Sequence, residues 1–321
     1  MDGGSFEKSF PSDPPRVTVL LTCYNHLSFL PEALEGVRGQ TFRDFEIIAL
    51  DDGSSDGTRE WLSAQDGIQT VFNQKNLGTY GTLNVGLART RGEFVAVLND
   101  DDVWRPEKLA RQVDLLDRHP EVGLVHTGGW FLDGNCERKE GNPLGFAWPT
   151  FPTDAQGEWT GDSLPALVRE NKIIASAALA RTSVLRQSGG FDEAYFGSGD
   201  WDMWWRVAEK HQVGFVSEEL TGYRVHGGNA SHKLDRIWKD DVRLRESIGR
   251  RMAALKERFP NWKKDAAFNF AALGTVRMLT SDASGARAAY QESMGLDPGR
   301  WKTYARYLAT FAGRKVFRKL L

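Results

Sequence analysis

The chain has 321 residues, long enough for one large domain and a smaller one, and its 40% hydrophobic and 26% charged residues describe a folded protein rather than a disordered one. No apolar run approaches the roughly 20 residues that cross a bilayer, so no transmembrane helix is expected. Two cysteines, Cys23 and Cys136, give no disulfide framework. A single bridge between them is one alternative, and reduced thiols in a cytoplasmic protein are the simpler one.

The net charge of −2 is unevenly distributed along the chain. Residues 1–232 carry 34 acidic and 21 basic side chains, a net charge of −13, whereas residues 233–321 carry 20 basic and 9 acidic ones, a net charge of +11. Between Pro298 and Leu321 there are seven basic residues and no acidic one. Such a tail is typical of a segment that meets an anionic partner, and equally of a solvated helix surface.

Along the first 127 residues, strand-like and helix-like segments alternate. Short apolar and β-branched runs predict buried strands, and apolar residues at helical spacing predict amphipathic helices. In chain order we predict strand 17–21, helix 30–37, strand 45–50, a helix capped by residues 54–56, strand 69–72, helix 79–88, strand 94–98, helix 106–118 and strand 122–125. This order predicts an α/β fold with a Rossmann-like, mostly parallel sheet and helices on both faces.

Three further segments follow other patterns. Residues 1–15 lack a hydrophobic signal core, and we expect a flexible lead without a secretion signal. Residues 128–160, rich in Gly, Pro and Trp, indicate an irregular stretch or an edge hairpin. Residues 267–300 resemble a single tetratricopeptide repeat, which cannot bury its own face and is expected to pack on neighbouring helices. The residues at that repeat's spacing are Phe270, Leu273, Gly274, Ala286, Tyr290 and Pro298.

Acidic residues directly follow two of the predicted strands. Asp51 and Asp52 follow strand 45–50, at the edge where open α/β sheets bind ligands, although acids beside Gly and Ser are also typical of a turn and a helix cap. Three adjacent Asp residues, 100–102, follow strand 94–98. Because adjacent carboxylates repel one another, a cation there would relieve the strain, and oxygen ligands suit Mg²⁺ or Mn²⁺. The alternative is a solvated turn before the next helix.

A third acidic cluster contains Asp200 and Asp202, just before a predicted helix over 203–209. Tryptophans surround Asp200 in the sequence, and a partly apolar pocket would raise the pKa of its carboxyl group, which suits a general base. The alternative is an Asp that caps the helix. We expect these tryptophans either to stack on a sugar or to pack in the core. They are Trp201, Trp204 and Trp205.

Taken in order, these motifs resemble the family 2 inverting glycosyltransferases of the GT-A fold, over about residues 15–232. The matching stretches are Thr22-Cys23-Tyr24-Asn25, Gln40-Thr41-Phe42, residues 51–58, Asn99 to Trp104, Gly189-Gly190-Phe191-Asp192-Glu193, Gly199-Asp200-Trp201-Asp202 and Tyr223-Arg224-Val225-His226. The resemblance implies a GT-A domain over residues 16–232, after the lead at 1–15, and an all-α C-terminal extension over 233–321.

The resemblance also implies roles for individual residues. Asp200 corresponds to the catalytic base, and Asp101 to the metal-binding carboxylate of a DxD motif whose first position is Asn99 here. His226 corresponds to a position that approaches the metal or the diphosphate in some members, and a surface histidine is its alternative. The residues expected to bind the nucleotide are Thr22, Tyr24, Asn25, Asp52 and Asp100. The expected cofactor is Mg²⁺ or Mn²⁺.

These roles imply an enzyme that moves a sugar from a nucleotide diphosphate to a hydroxyl group with inversion. Asp200 would take the proton of the acceptor hydroxyl while the metal stabilises the leaving diphosphate. A UDP-sugar is the expected donor because Asp52 can accept a hydrogen bond from the uracil N3–H, although thymine offers the same donor. No nucleic-acid partner is expected. The alternatives are a non-catalytic carbohydrate- or nucleotide-binding scaffold and a sugar nucleotidyltransferase, which would need a Gly-rich basic loop after the first strand.

The family resemblance implies a glycan or lipid-linked acceptor in the synthesis of cell-surface polysaccharide. A lipid-linked acceptor would lie at the cytoplasmic face of the membrane. Near the C-terminus, a helix combines basic residues with apolar side chains at helical spacing, namely Trp301, Tyr304, Leu308 and Phe311. Such a helix is expected either to contact an anionic membrane peripherally or to pack its aromatic face on the preceding helices.

Overall fold

The computed structural model describes residues 13–140 and 151–318. Several predictions therefore lie outside the described residues: most of the flexible lead, part of the irregular stretch at 128–160, and Lys319 of the basic tail. Within the described part of the chain, no helix is both long enough and apolar enough to cross a membrane. Cys23, which is buried, and Cys136, which is exposed, are both free thiols.

Ten strands form one mixed sheet. They are β1 (Val17–Cys23), β2 (Phe45–Asp51), β3 (Gln69–Phe72), β4 (Phe94–Asn99), β5 (Val103–Trp104), β6 (Val122–Leu132), β7 (Arg138–Lys139), β8 (Glu158–Gly161), β9 (Ala178–Arg181) and β10 (Gln212–Arg224). Their order is β3-β2-β1-β4-β9-β6-β10-β5, with β7 beside β6 and β8 beside β10. The first four strands in this order are parallel, β9 is antiparallel to both of its neighbours, and β10 runs parallel to β6.

Twelve α-helices lie in the described residues. They are α1 (Leu30–Arg38), α2 (Thr58–Ser63), α3 (Gly78–Arg89), α4 (Lys108–Arg118), α5 (Leu164–Leu167), α6 (Thr182–Gln187), α7 (Gly199–Ala208), α8 (Leu234–Met252), α9 (Trp262–Leu279), α10 (Ala283–Leu296), α11 (Trp301–Ala309) and α12 (Arg314–Phe317). Short 3₁₀ turns occur at 175–177, 230–232, 253–258 and 310–312.

Helices cover both faces of the sheet, because successive residues of a buried strand point to opposite sides. In β1, Val19 and Leu21 pack in one cluster with residues of α1 and α4. Leu20 points the other way and packs with residues of α3 and α7. The predicted α/β fold, with a mostly parallel sheet between helical layers and helices after it, is confirmed.

The C-terminal helices pack onto the sheet domain. Leu244 and Ile248 of α8 belong to the same core cluster as Leu20, so this helix completes the core on that face. A separate, smaller hydrophobic core is formed by residues of the four helices α9 to α12 and contains Tyr290. A Cβ on Gly274 would lie 2.8 Å from the Tyr290 ring, so the glycine lets that ring approach α9. Helices are present over 267–300 as predicted; their identity as a tetratricopeptide repeat and the domain boundary at residue 232 stay predictions.

Several element boundaries differ from the sequence prediction. The strand predicted over 122–125 continues to Leu132 as β6, because β10 pairs with it along this length, and it turns into a hairpin with β7. The helix predicted from Pro106 begins at Lys108. The N-cap of α2 is Gly57, whose φ of 95° favours glycine, while the Asp56 carboxylate accepts from the Thr58 N–H.

Candidate active site

The parallel strands β1, β2 and β4 end at one edge of the sheet and bring the predicted acidic turns together there. The Asp52 N–H donates to the Cys23 carbonyl at 2.9 Å, which ties the end of β2 to β1. The Asp100 N–H donates to the Thr22 carbonyl at 3.0 Å, which ties the turn after β4 to the same strand. The sheet register therefore places the candidate donor-binding residues in one corner, which we call the donor corner: the ends of β1, β2 and β4 with the loop at 225–229.

The three adjacent carboxylates of the donor corner point to different partners. Asp100 is buried, and its two oxygens lie 2.8 Å from the Tyr24 N–H, which donates to it, and 2.9 Å from His26 Nδ1. Burial raises the pKa of the Asp100 carboxyl group, with the nearby Asp101 charge adding to the effect, while His26 opposes it. The same contact raises the pKa of the His26 imidazole. Asp100 thus holds the loop after β1 in place.

Asp102 has a structural position. Its carboxylate accepts from the Arg224 N–H at 3.0 Å and from the Ser176 hydroxyl at 2.5 Å. Burial, and then the charge of Asp101, raises the pKa of this fully buried carboxyl group well above its usual range. Asp102 therefore connects the end of β10 to the acidic turn and does not face the ligand.

Asp101 is the carboxylate of the three that lies in a candidate metal-binding group. His226 Nε2 lies 3.0 Å from its Oδ2, and the Asn229 side-chain amide donates to the same oxygen at 3.3 Å. One ligand atom each from His26, Asp101 and His226 lie within 4.8 Å of one another, and both imidazoles are partly accessible. This set of one oxygen and two nitrogens fits a divalent transition-metal ion such as Mn²⁺. His226 thus faces Asp101, and its role beside a metal or diphosphate stays a prediction.

Buried polar contacts fix the loop that carries His226. Asn229 accepts from the His226 N–H at 2.6 Å and donates to the Arg224 carbonyl at 3.0 Å. The Arg224 guanidinium is buried and donates to the Asp101 carbonyl at 2.7 Å and to a Glu32 carboxylate oxygen at 2.5 Å. These contacts hold the imidazole and the carboxylate in one orientation.

Asp52, which is predicted to bind the base of the nucleotide, already accepts three hydrogen bonds from the protein. They come from the Leu77 N–H at 2.7 Å, the Gly78 N–H at 2.9 Å and the Asn73 side-chain amide at 3.0 Å. An ionised carboxylate has about four lone-pair sites, so about one is left for a ligand. The Tyr24 side chain nearby is 45% exposed and offers a ring face.

Thr22 and Asn25 contact other parts of the donor corner. The Thr22 hydroxyl donates to the Asn99 side-chain oxygen at 3.1 Å. Asn25 has a left-handed φ of 56°, and its side-chain oxygen accepts from the Ser55 N–H at 2.8 Å. Asn25 therefore joins the loops after β1 and β2, so its own amide is engaged in shaping the corner.

Asp200 lies in the first turn of α7, away from the metal-binding side chains. The helix begins at Gly199 rather than at residue 203, and a Cβ on Gly199 would lie 2.7 Å from the Tyr80 ring, so the glycine lets that ring pack against the helix start. The N-cap position is Ser198, so the alternative of an Asp200 cap is wrong. The Asp240 carboxylate accepts from the N–H groups of residues 196–198 and holds this helix start.

Three neutral donors surround the Asp200 carboxylate. They are the Trp201 N–H at 2.7 Å, the Asn171 side-chain amide at 3.1 Å and the Tyr80 hydroxyl at 3.4 Å. Burial raises the pKa of Asp200 to about 6, against these hydrogen bonds, which lower it. Since the side chain is still partly accessible, it can accept a proton from a molecule that reaches it.

The neighbouring tryptophans belong to the core and do not form a sugar platform. The Trp201 indole N–H donates to the Leu167 carbonyl at 2.9 Å, and that of Trp204 donates to the Ile173 carbonyl at 3.0 Å. Trp205 is 1% exposed. The alternative of core packing therefore holds for all three.

Sequence reasoning missed four residues of the site. His26 and Asn229 lie close in sequence to predicted residues, and their position just after Tyr24 and His226 was an available signal. Arg224 stood within a quoted motif, but its buried contacts depend on the tertiary fold. Asn171 lies 29 residues before Asp200 in an irregular segment, and no sequence pattern indicates it.

A Rossmann-like sheet with a carboxylate–histidine cluster at the carboxyl edge of its strands places the chain in the class of α/β proteins that bind ligands at that edge. The family model described as Glycosyl transferase family 2 matches residues 18–180. This match covers half of the chain, and the chain belongs to that family.

Individual relatives agree with this assignment. An uncharacterized glycosyltransferase of Nostoc sp. is 29% identical over 230 residues, which are 67% of this chain and 66% of that protein. Another curated relative, from Rickettsia conorii, is matched over only 35% of its length. The chain therefore spans between about a third and two thirds of the length of these relatives.

Solved structures share the fold at low sequence identity. A crystal structure of S. aureus TarS in complex with UDP-GlcNAc has a TM-score of 0.68 and 14% identity, over 95% of this chain and 90% of that one. A mannosyltransferase from Pyrobaculum calidifontis in complex with GDP-Man and Mn²⁺ has a TM-score of 0.54 and 18% identity, over 95% of this chain and 87% of that one.

Proposed function

We propose that the protein is a metal-dependent inverting glycosyltransferase that moves a sugar from a UDP-sugar to a hydroxyl group of a glycan or lipid-linked acceptor. Its place would be at the cytoplasmic side of the membrane, in the synthesis of cell-surface polysaccharide. The observation that carries the proposal is the pairing of the Asp101–His226–His26 cluster with a separate carboxylate, Asp200, whose pKa is about 6. Membership of glycosyl transferase family 2 supports it.

Asp101, His226 and His26 would hold the metal ion. Mg²⁺ prefers oxygen ligands and keeps its waters, so two imidazole nitrogens favour a transition-metal ion over Mg²⁺, and the structurally similar mannosyltransferase was crystallised with Mn²⁺. When bound, the divalent cation supplies positive charge that stabilises the leaving diphosphate. Asn229 and Arg224 keep the ligands oriented.

The donor nucleotide would lie over the ends of β1 and β2. The exposed Tyr24 ring can stack on the base, and the remaining lone pair of Asp52 can accept from the uracil N3–H. Thr22, Asn25 and Asp100 would shape this pocket through the contacts between its loops. The structurally similar TarS was crystallised with UDP-GlcNAc and the Pyrobaculum mannosyltransferase with GDP-Man, so the choice of UDP rests on the Asp52 contact.

Asp200 would act on the acceptor. At pH 7 a carboxylate with a pKa of about 6 is mostly ionised, yet it accepts a proton more readily than an ordinary aspartate. It would take the proton of the acceptor hydroxyl as that oxygen attacks the anomeric carbon from the side opposite the leaving group. The configuration inverts, and no covalent enzyme intermediate forms.

A panel of nucleotide sugars tests the proposal and its alternatives. Each compound is incubated with the protein and Mn²⁺, and released nucleoside diphosphate is measured with and without EDTA. We expect UDP release from at least one UDP-sugar, abolished by EDTA. UDP binding without any release would favour a non-catalytic binding protein. Pyrophosphate release from UTP and a sugar 1-phosphate would favour a nucleotidyltransferase.

A further inference from the structure

Helix α11 presents an unusual concentration of exposed apolar side chains. Seven large hydrophobic residues are exposed in the described part of the chain, and four of them lie within eleven residues. These four are Trp301 (71% exposed), Tyr304 (42%), Leu308 (66%) and Phe311 (66%). Their spacing of three, four and three residues places them on one side of α11 and the turn after it, and we call this set the α11 face.

The opposite side of α11 faces the protein. Thr303 and Ala309 are buried, and Ala309 belongs to the small core of the C-terminal helices. Helix α11 therefore packs on the protein through this side, and the α11 face lies on the other side of the helix. Packing on the preceding helices, the alternative expected from the sequence, leaves these four side chains largely exposed. A contiguous exposed apolar patch of this kind marks an interaction surface.

Cations surround the α11 face. Lys302 Nζ lies 5.8 Å from the Trp301 ring centroid, and Arg287 Cζ lies 5.0 Å from that of Phe311. Two acids lie near this segment: Asp297, which is close to Arg300 directly before α11, and Asp235, which faces Arg314 at 3.5 Å. Further basic residues in the same segment are Arg300, Arg306, Lys315 and Arg318. The partner of this surface should therefore be apolar in part and negatively charged.

We propose that the α11 face docks on the interface of an anionic lipid bilayer. Trp and Tyr side chains settle at the level of lipid headgroups, Leu and Phe enter the acyl boundary, and Lys and Arg at the rim reach lipid phosphates. A second copy of the chain fits less well, because a symmetric contact would bring two basic segments against each other.

The segment of α12 that follows the α11 face contacts α8, the helix that also holds the start of α7. Arg314 Cζ and Arg318 Cζ lie 5.8 and 5.2 Å from the ring centroid of Trp238 on α8. The same helix carries Asp240, which holds the N–H groups of residues 196–198 directly before Asp200. If the proposed function holds, on which only this step rests, docking through the α11 face would keep the protein at the surface that carries a lipid-linked acceptor.

Co-sedimentation of the full chain with vesicles tests the docking surface. The vesicles contain either phosphatidylcholine alone or phosphatidylcholine with phosphatidylglycerol. The apolar variant is Trp301→Ser with Phe311→Ser, and the charge variant is Lys302→Glu with Lys315→Glu. Their matched control is Lys263→Glu with Lys264→Glu, which makes the same charge change at exposed lysines of α9.

We expect wild type and control to pellet with the phosphatidylglycerol vesicles, more weakly as salt is raised, and both α11-face variants to bind at least about tenfold more weakly. Equal pelleting of wild type and variants, or none at all, would overturn the proposal. So would a dimer, seen by sedimentation velocity without lipid, that the apolar variant dissociates. UDP release from a soluble donor, measured in parallel, reports on the proposed function independently, and we expect it to be unchanged in every variant.

Discussion

The donor corner and the surroundings of Asp200 both bury carboxylates, but they do so in different ways. In the donor corner three acids follow one another, and the charge of Asp101 adds to the effect of burial in raising the pKa of Asp100 and Asp102. Around Asp200 burial alone raises the pKa, and every hydrogen-bond donor is neutral. One region crowds like charges beside imidazoles, and the other isolates one carboxylate from charged partners.

This difference separates two kinds of chemistry. A divalent cation held by His26, Asp101 and His226 would relieve the crowded negative charge and would supply positive charge for a diphosphate. Binding a proton would remove the unfavourable charge of an isolated, buried carboxylate, and an acceptor hydroxyl would supply that proton. Substitutions in the two regions should therefore affect different steps of the reaction.

The largest effect is expected from Asp101→Ala. Loss of the carboxylate ligand removes several kcal/mol of metal-derived stabilisation, so transfer should fall by about 10³-fold or more, with metal-supported UDP binding lost as well. Glu60→Ala, an exposed acid on α2, is the control. Thermal unfolding by circular dichroism should be unchanged for both variants. Near-normal transfer by Asp101→Ala, or by wild type in EDTA, would contradict the metal assignment.

Asp200→Asn should slow transfer while sparing the donor corner. The amide keeps the shape of the carboxylate but cannot take a proton, so kcat should fall by roughly 10²–10⁴. UDP affinity should stay at the wild-type value, since Asp200 contacts no residue of the donor corner. If this variant instead lost UDP binding and kept its turnover, the base would lie elsewhere.

Asn229→Ala tests how the metal ligands are oriented. Removing the amide that contacts both Asp101 and the His226 backbone should weaken Mn²⁺ affinity by about 10–100-fold. Saturating Mn²⁺ should then restore most of kcat, which a general folding defect would not allow. The measurement is the Mn²⁺ concentration that gives half-maximal transfer.

The smallest effect is a shift of the pH profile. Because the ionised form of Asp200 is the active one, kcat/KM of wild type should fall tenfold per pH unit below about 6. Asn171→Ala removes a donor to the ionised form, so the apparent pKa should rise by about one unit, with little change in rate above pH 8. An unchanged profile, or a shift toward acid, would mean that Asn171 does not stabilise the carboxylate.

The donor corner was more predictable from sequence than the surroundings of Asp200, for a physical reason. Apolar strands that end in acids reveal a sheet edge locally, so the ends of β1, β2 and β4 follow from residues 17–23, 45–52 and 94–101 alone. The start of α7 depends on the contact of Gly199 with Tyr80, which is far away in sequence. No local pattern contains such a contact.

Side-chain partners were predicted less well than positions. Asp100, Asp101 and Asp102 look alike in sequence, and only the tertiary fold directs them to three different sets of partners. For the same reason Asn171 was missed, and the tryptophans beside Asp200 were ambiguous until their indole N–H groups found buried carbonyl groups. The helical spacing of the apolar residues in α11 could be predicted from the sequence. Their exposure could not, because it depends on which side of the helix packs on the protein.

Calorimetric titration of UDP tests the separation of the two regions most directly. Wild type, Asp101→Ala and Asp200→Asn are each titrated with UDP in Mn²⁺ and again in EDTA. The account predicts binding in Mn²⁺ that is lost in EDTA for wild type and Asp200→Asn, and no metal-supported binding for Asp101→Ala. Binding that survives in Asp101→Ala, or that is lost in Asp200→Asn, would contradict it.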